Sequence, residues 1–255
     1  MELKSIIREL RTSYRVFKYR GEEYYCPFCE NSSKGFMPIG LPHQAIIDYK
    51  IIGAGIRNGG CVKCDSIDRD RLMYALLEFE LDVLRNAPSL SILHIAPELM
   101  LSKEFMKYQY KQYLCADKFM PGYSYPEYTV NCDIMDLGFE DNSFELVICN
   151  HVLEHIPDDI GAMKELYRVL KPKGTAVLQV PISPLLTTSY EDPEIQTAKE
   201  REQHFGQYDH VRIYGQDYIQ RLQSVGFTVN RINISKKFKS FGVIPEEDLF
   251  VCTKN

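Results

Sequence analysis

The feature that most constrains this chain is the stretch from Phe144 to Pro181, which reads as a strand, a helix and a second strand. Its two short apolar runs, 144–149 and 176–180, are typical of strands covered on both faces. Two such strands joined by a helix predict a right-handed βαβ unit, whose ligand crevice lies at the carboxyl ends of the strands. Residues 150–155 fall at that edge.

Local signals bound the helix of this unit. Asp158 and Asp159 precede it, and carboxylates favour the exposed N–H groups of a helix start. The Lys-Pro-Lys-Gly run at 171–174 is expected to end it. Apolar residues recur between these limits at helical spacing: Met163, Leu166, Tyr167 and Leu170.

A chain of 255 residues has room for one large α/β domain and a small appendage. No apolar run approaches the roughly 20 residues that cross a bilayer, so no membrane partner is expected. The N-terminus lacks the apolar core of a signal peptide, which predicts a cytoplasmic protein with reduced thiols. The net charge of −5 argues mildly against general nucleic-acid binding. The oligomeric state is not indicated.

Four of the eight cysteines form two Cys-x-x-Cys pairs separated by 31 residues. Two residues between thiols allow a tight turn to aim both sulfurs at one centre, and two turns complete a tetrahedral site that suits zinc. Four thiolates leave no open position, so the predicted role is structural, within an N-terminal helix and zinc module at 1–65. Iron or redox chemistry remains the alternative. The predicted ligands are Cys26, Cys29, Cys61 and Cys64.

A connecting segment at 66–88, helical over 66–85, is expected to join this module to a domain at 89–255. Strands are predicted at 91–96, 111–116 and 128–132, and the last two are followed directly by Asp117 and Asp133. An acid about 20 residues past the first strand accepts hydrogen bonds from ribose hydroxyls in nucleotide-binding folds. The two acids favour an adenosine-containing ligand.

Residues 89–255 resemble the class I S-adenosylmethionine (SAM)-dependent methyltransferases. The runs NCDIMDLGFEDNSFELVICNHVLEHI and ELYRVLKPKGTAVLQVP carry the resemblance. It implies an α/β, Rossmann-like sheet of seven strands with the last strand antiparallel. It also implies that SAM is the cofactor, with Asp117 on the ribose, Asp133 and Ile134 at the adenine, and Asn150 near the methionine half.

The loop after the first strand departs from the family pattern. Where a glycine-rich run is usual, this chain has His94, Ala96, Pro97 and Glu98, and Ala-Pro restricts φ and removes one donor. Glu98 is a candidate acceptor for the ammonium group of SAM. The predicted cofactor-binding residues are therefore His94, Ala96, Pro97, Glu98, Asp117, Asp133, Ile134 and Asn150.

An insertion at 182–218, which the core fold does not need, is predicted to form a lid over the crevice. Within it, His210, Arg212 and Tyr214 alternate, which would place them on one side of an extended segment facing the acceptor. His151, directly after the fourth strand, is the other candidate. We therefore name His151 and His210 as candidate catalytic bases.

The acceptor is less defined by the sequence. The Asn-Pro-Pro-aromatic signature of enzymes that methylate exocyclic amines would fall at 150–153, where its prolines and aromatic are absent. We therefore expect transfer to a hydroxyl of a small molecule or of a sugar or polysaccharide precursor. A zinc-ribbon RNA base methyltransferase is the second possibility, since nucleic acid is a possible but not favoured partner. A non-catalytic SAM-binding interaction protein is the third.

Overall fold

The computed structural model describes residues 2–85 and 88–255. The part before residue 86 is built from short elements around the paired cysteines. They are α1 (Glu2–Lys18), β1 (Tyr24–Cys26), β2 (Asn31–Ser33), β3 (Met37–Ile39), α2 (Gln44–Asp48), β4 (Arg57–Gly60) and α3 (Asp68–Ala75). β1 pairs with β2 and β3 pairs with β4, both antiparallel.

The part after residue 87 alternates strands and helices. They are β5 (Ser91–Ile95), α4 (Leu99–Phe105), β6 (Gln112–Asp117), β7 (Thr129–Asn131), β8 (Phe144–Asn150), α5 (Asp159–Val169), β9 (Leu170–Gln179), β10 (Tyr190–Glu191), α6 (Ala198–Phe205), β11 (Arg212–Ile213), α7 (Tyr218–Ser224), β12 (Phe227–Ile232) and β13 (Leu249–Lys254).

Seven of these strands form one sheet in the order β12-β13-β9-β8-β5-β6-β7. β13 runs antiparallel to both of its neighbours, and the other adjacent pairs from β9 to β7 are parallel. This confirms the predicted Rossmann-like sheet with an antiparallel last strand. The order reverses between β5 and β8, and the crevice outside such a switch point is where ligands bind in open α/β sheets.

The central strands are buried because helices cover both faces of the sheet. All five residues of β5 are buried, and so are six of the seven in β8. Two apolar clusters, one on each face, contain Leu93 with Val147 and Ile92 with Ile148. Burying each such aliphatic side chain contributes about 1.5–3 kcal/mol, which fixes the strand ends that carry the crevice residues.

The βαβ unit is present, but its second strand begins earlier than predicted. Asp158 caps α5 by accepting a hydrogen bond from the Gly161 N–H at 2.9 Å. α5 ends at Val169, and the Lys-Pro-Lys-Gly run lies inside β9 instead of separating helix from strand. Pairing of Leu170 with Phe144 draws the run into the strand, with a register shift that accommodates it.

The helix predicted over 66–85 is shorter in the structure. α3 spans Asp68–Ala75 and continues as a π-helical turn, Leu76–Glu80, so the predicted helix ends five residues early. Leu72 to Leu77 are all buried, so this part of the helix is packed on every side. The turn that follows adopts the wider π-helical hydrogen-bonding pattern. Residues 86 and 87, within the predicted connecting segment, lie outside the described residues.

The insertion packs against the N-terminal part of the chain. Ile52 forms a β-bridge with Ile182, and Ser183 donates a hydrogen bond to the Tyr49 carbonyl at 2.6 Å. Ile51, Phe205 and Ile213 form a small apolar cluster between the two segments. Across the described ranges, no helix combines the length and apolar character needed to cross a membrane.

Candidate active site

The crevice lies at the carboxyl ends of β5, β6, β7 and β8. Ala96 follows β5, Asp117 ends β6, Asp133 comes shortly after β7 and Asn150 ends β8. Parallel neighbours end at one edge of a sheet, so the topology gathers these predicted cofactor residues along that edge.

The loop after β5 takes a glycine-like conformation without glycine. Ala96 has φ +46°, in the left-handed region that glycine favours, and its N–H donates to the Ala116 carbonyl at 2.8 Å. Pro97 follows, where the missing N–H removes a donor without breaking the turn. The backbone path expected of a glycine-rich loop is therefore kept by Ala96.

Glu98 joins the ends of β5 and β8. Its carboxylate lies 2.8 Å from His94 Nε2 and accepts a hydrogen bond from Asn150 Nδ2 at 3.0 Å. His94 is fully buried, and its Nδ1 lies 2.9 Å from the Tyr113 hydroxyl. Burial raises the pKa of Glu98, but the hydrogen bond and charge of His94 outweigh it, so the net pKa is lowered. Glu98 is thus held as a carboxylate at the crevice.

The two acids after β6 and β7 have different surroundings. Asp133 pairs with Lys118 at 2.7 Å and accepts the Met135 N–H at 3.0 Å, and these contacts lower its pKa. Ile134 beside it is buried. Partial burial raises the pKa of Asp117. Asp117, Asp133 and Ile134 thus lie at neighbouring strand ends. Two acids and one apolar side chain in this arrangement suit the ribose and adenine of an adenosine group.

Asn150 carries an unsatisfied group at the centre of the crevice. Its Nδ2 donates to Glu98, while its buried Oδ1 has no hydrogen-bond partner among the described residues. Buried acceptors are nearly always satisfied in folded proteins, so an orphan at a strand end indicates a missing donor. The ammonium group of SAM is such a donor, and the residues present fit this cofactor.

Beside the crevice lies a cavity of about 480 Å³, which we call the histidine pocket. One wall comes from the N-terminal part of the chain, the opposite wall from the insertion, and the floor from the loop after β8. Residues that line it include Ile39, His43, Ile46, Arg57, Arg69, His151, Glu154, His155, Tyr208 and His210.

His151 lies where the crevice and the pocket meet. It has φ +55°, and its N–H donates to the Gln179 carbonyl at 2.7 Å, which turns the side chain out of the strand direction. Both ring nitrogens are buried and have no hydrogen-bond partner among the described residues. Burial, together with the charge of Arg69, lowers the pKa of His151. The predicted catalytic histidine therefore has two buried ring nitrogens without a hydrogen bond, and the nearest carboxylate oxygen, Glu154 Oε1, lies 3.6 Å from Nδ1.

Glu154, His155 and His210 meet on the pocket floor, with one ligand atom of each within 4.8 Å of the others. Burial raises the pKa of Glu154, but the three nearby histidines outweigh it and bring it to about 2. Burial lowers the pKa of His210 to about 4. For His155 the effect of burial is outweighed by Asp209, which raises its pKa. Both His151 and His155 line the pocket.

Arg212 and Tyr214 do not face the acceptor side, and this prediction is wrong. The Arg212 guanidinium donates to the carbonyls of Leu153, Ile156 and Pro157, and it is 3% exposed. The fully buried Tyr214 hydroxyl donates to Asp159 at 2.8 Å. A sequence alternation does not decide which side chains reach a pocket, and here His210 lines the pocket while Arg212 and Tyr214 point into the protein interior.

The four paired cysteines converge as predicted. Cys26 Sγ lies 3.6 Å from Cys64 Sγ, and Cys29 Sγ lies 3.6 Å from Cys61 Sγ. Sulfurs bound tetrahedrally to zinc at about 2.3 Å are roughly 3.8 Å apart, so the thiols fit this metal. Glu30 and Asp65, each directly after a pair, both adopt positive φ and make equivalent turns. The fully buried Arg71 lies near Cys26 and Cys61, and its positive charge offsets the negative charge of the thiolates.

The sheet order and the residues at its strand ends define a class I methyltransferase fold. Residues 101–178 match the family model described as a methyltransferase domain. These residues therefore carry a methyltransferase domain, in agreement with the sequence resemblance. The match starts in α4 and ends in β9, so it excludes the cysteine module and the insertion.

Curated relatives match over a short stretch. The demethylmenaquinone methyltransferase of Staphylococcus epidermidis is 48% identical over 48 residues, and that of Staphylococcus carnosus is 52% identical over 48 residues. Each match covers 19% of this chain and 20% of the relative. The chain thus spans about a fifth of the length of these relatives.

Solved structures with a similar fold include two SAM-dependent methyltransferases. The protein from Mesorhizobium loti is 14% identical with a TM-score of 0.49, covering 71% of this chain and 98% of its own. The protein from Archaeoglobus fulgidus is 13% identical with a TM-score of 0.47, covering 73% and 94%.

Sequence reasoning missed most of the pocket. Arg69, Ile39 and His43 approach from the N-terminal part, which had been assigned only a structural role. Glu154 and His155 were visible in the HVLEH run, but nothing in the sequence placed His210 beside them. A backbone hydrogen bond from the Val211 N–H to the Glu154 carbonyl at 2.9 Å makes that connection.

Proposed function

We propose that this protein transfers the methyl group of SAM to a hydroxyl of a small molecule held in the histidine pocket. The observation that carries the proposal is the adjacency of Asn150 and His151. Asn150 faces the cofactor crevice through its contact with Glu98, and the next residue lines the pocket. A methyl group presented near Asn150 would therefore meet an acceptor lying against His151.

For this methyl transfer, the main task of the protein is to position the acceptor against the methyl group. When bound, SAM supplies an electrophilic methyl group, and transfer to the acceptor oxygen breaks the carbon–sulfur bond and leaves its electron pair on sulfur. The residues lining the pocket hold the acceptor in line with that bond, and alignment of this kind supplies much of the rate. His151 has free ring nitrogens and takes the hydroxyl proton.

The pocket favours a small acceptor with an apolar part. Its volume lies within the range of small-molecule sites, and Ile39 and Ile46 supply apolar contacts opposite the histidines. A sugar or polysaccharide precursor meets these requirements, as does another small hydroxylic compound. The staphylococcal relatives are named for demethylmenaquinone, and we include a quinol among the acceptors to be tested.

The second candidate function is methylation of an RNA base. The observation in its favour is a groove beside the cysteine module, where Lys34, Lys236 and Lys239 lie near Tyr19 and Tyr24. Basic and aromatic side chains together suit single-stranded nucleic acid. The groove is separate from the histidine pocket, so the small-molecule acceptor remains the first proposal.

Two variants test the cofactor and acceptor assignments separately. SAM at about 100 times its dissociation constant adds about 2.7 kcal/mol to stability and should raise the melting temperature. Asp117→Ala should abolish the rise, whereas exposed Glu140→Ala, before β8, should retain it. His151→Gln should keep the rise but lower turnover about 10²- to 10⁴-fold.

Turnover is measured with methyl-labelled SAM against sugars, phenols, quinols and RNA. Absence of a melting shift in the wild type contradicts the whole proposal. A normal shift without label in any acceptor supports the non-catalytic SAM-binding protein, and label in RNA alone supports the second candidate.

The Cys26, Cys29, Cys61 and Cys64 site is part of the proposal as a structural zinc centre. Its closed four-sulfur set leaves no position for a substrate. Zinc there would hold β1 and the end of β4 in place and, through the pairing of β4 with β3, the Ile39 wall of the histidine pocket. The division into a module at 1–65, a connecting segment at 66–88 and a methyltransferase domain with a lid at 182–218 is likewise proposed.

A further inference from the structure

We propose that Glu154, His155 and His210 form a second metal site, which binds a divalent first-row transition metal on the floor of the histidine pocket. Two imidazoles and one carboxylate leave coordination positions open for oxygen atoms of an acceptor. That use of the open positions rests on the proposed function. Binding of the metal itself does not.

The first argument is geometric. One ligand atom from each of the three side chains lies within 4.8 Å of the others. Ligands bound tetrahedrally at about 2.0–2.1 Å are roughly 3.3 Å apart, so small side-chain rotations close the set around an ion. The rings of His155 and His210 lie 4.7 Å apart and nearly perpendicular, so they approach the same space from two directions.

The second argument is the unsatisfied carboxylate. Glu154 is 2% exposed, and its Oε2 has no hydrogen-bond partner among the described residues. Its Oε1 lies 3.6 Å from His151 Nδ1 and 4.0 Å from His155 Nε2, both beyond hydrogen-bonding distance. Buried charges are normally paired closely or coordinate metals. The distances from Glu154 to the neighbouring histidines are too long for direct hydrogen bonds. They suit a metal ion bound between these side chains.

The third argument is the orientation of His155. Its Nδ1 faces Asp209 at 3.4 Å, while its Nε2 faces Glu154. A histidine that binds a metal through one nitrogen usually donates the other N–H to a carboxylate, which fixes the tautomer. Asp209 is therefore a positioning residue, and His155 Nε2 is the ligating atom.

The scaffold holds the three ligands from two separate segments. Glu154 and His155 belong to the loop after β8, and His210 belongs to the insertion. The Val211 N–H donates to the Glu154 carbonyl, and Arg212 donates to the carbonyls of Leu153 and Ile156 on either side. Two imidazoles and one carboxylate favour zinc or iron over magnesium.

The test counts zinc bound per chain by equilibrium dialysis against zinc alone, with the cysteine site already filled. We expect the wild type to hold two ions and both His155→Gln and His210→Gln to hold one. His204→Gln should hold two, because His204 is exposed and contacts Tyr190 outside the pocket. Asp209→Asn should keep the site but weaken its affinity about 10- to 100-fold.

Cobalt(II) added to the same protein provides an independent readout. Cobalt in the second site should absorb without a thiolate charge-transfer band, because no sulfur is among its ligands. The proposal is overturned if the wild type holds one zinc only, or if His155→Gln, His210→Gln and Asp209→Asn all bind as the wild type does. Should the histidine variants fail to fold, Asp209→Asn alone decides the outcome.

The SAM melting shift, measured in the same preparations, separates the two proposals. A shift with one zinc per chain contradicts only the second metal site. Two zinc ions without a shift contradict the proposed function and leave the metal site in place.

Discussion

The two sides of the active site are built differently. The proposed cofactor side consists of residues at the ends of β5, β6 and β8, such as Ala96, Asp117 and Asn150, which the sheet topology brings together. The proposed acceptor side consists of three segments far apart in sequence, represented by Arg57, Glu154 and His210. A site on strand ends is fixed by the core, whereas a site assembled from loops depends on each contact that pins them. Damage to those contacts should therefore affect the acceptor side selectively.

The largest selective effect is expected from the cysteine site. Metal-binding energy is folding energy in small zinc modules, with apparent values of about 10–16 kcal/mol in zinc-finger peptides. Cys61→Ser should therefore unfold the N-terminal part and remove the Ile39 wall, while the SAM melting shift of the remaining domain persists. The measurements are limited proteolysis and the thiolate charge-transfer band of bound cobalt.

Cys132→Ser is the matched control, because Cys132 is a half-buried thiol outside the site. It should retain the cobalt band and the proteolysis pattern. Were Cys61→Ser to keep both as well, the four-cysteine assignment would be wrong. Loss of the SAM shift along with the module would show that the two sides are not independent.

A smaller effect is expected from the buried ion pair that pins the insertion. Arg212→Met removes one donor from three backbone carbonyls and breaks the pair between Arg212 and Asp159, which lie 3.8 Å apart and are both almost fully buried. Removing one partner of a buried pair costs about 3–5 kcal/mol. Urea unfolding should show this loss, and the folded fraction should still respond to SAM.

Arg221→Met is the control for that variant. Arg221 pairs with the same acids, Asp159 and Glu191, but its side chain is more exposed, at 18% against 3% for Arg212. Its loss should cost about 1 kcal/mol. Equal losses in the two variants would mean that the carbonyl contacts of Arg212 contribute little.

The smallest effect concerns Glu247, which lies at the seam between the two sides, near Gly53 of the N-terminal part. Burial and the charge of Asp68 raise its pKa from 4.5 to about 7. Between these values the folded protein keeps a proton that the unfolded chain releases, so stability falls as pH rises, by up to about 1.4 kcal/mol per unit. Above pH 7 both states are ionised and the fall ends.

Glu247→Gln cannot ionise, so it should be more stable relative to the wild type at pH 8 than at pH 5, by about 1–3 kcal/mol. Urea unfolding across this range measures the difference. Asn233→Ala is a useful control, because Asn233 donates to the Glu247 carbonyl without contacting its carboxylate. A pH-independent difference between Glu247→Gln and the wild type would contradict the raised pKa.

Much of the cofactor side was predictable because its signals are local. A short apolar run predicts a strand, and the polar residue that follows, such as Asp117 or Asn150, lies at the strand end by construction. The seven-stranded sheet with its antiparallel last strand was implied by the family resemblance, and the structure confirms it. The early start of β9 was missed because cross-strand pairing with β8 outweighed the proline and glycine signals.

The sequence by itself determined the methyltransferase fold through its family resemblance, and the strand-end positions of the proposed cofactor residues and the four-cysteine cluster through spacing within one segment or a repeated pair. Only the tertiary structure decided that Arg212 faces inward, and that His210 joins Glu154 and His155. It alone placed Arg69 and His151 in the lining of one pocket. These residues come from segments about 55 to 80 residues apart. They depend on how the insertion and the N-terminal part pack on the sheet, and long-range packing of this kind leaves no periodic pattern in the sequence.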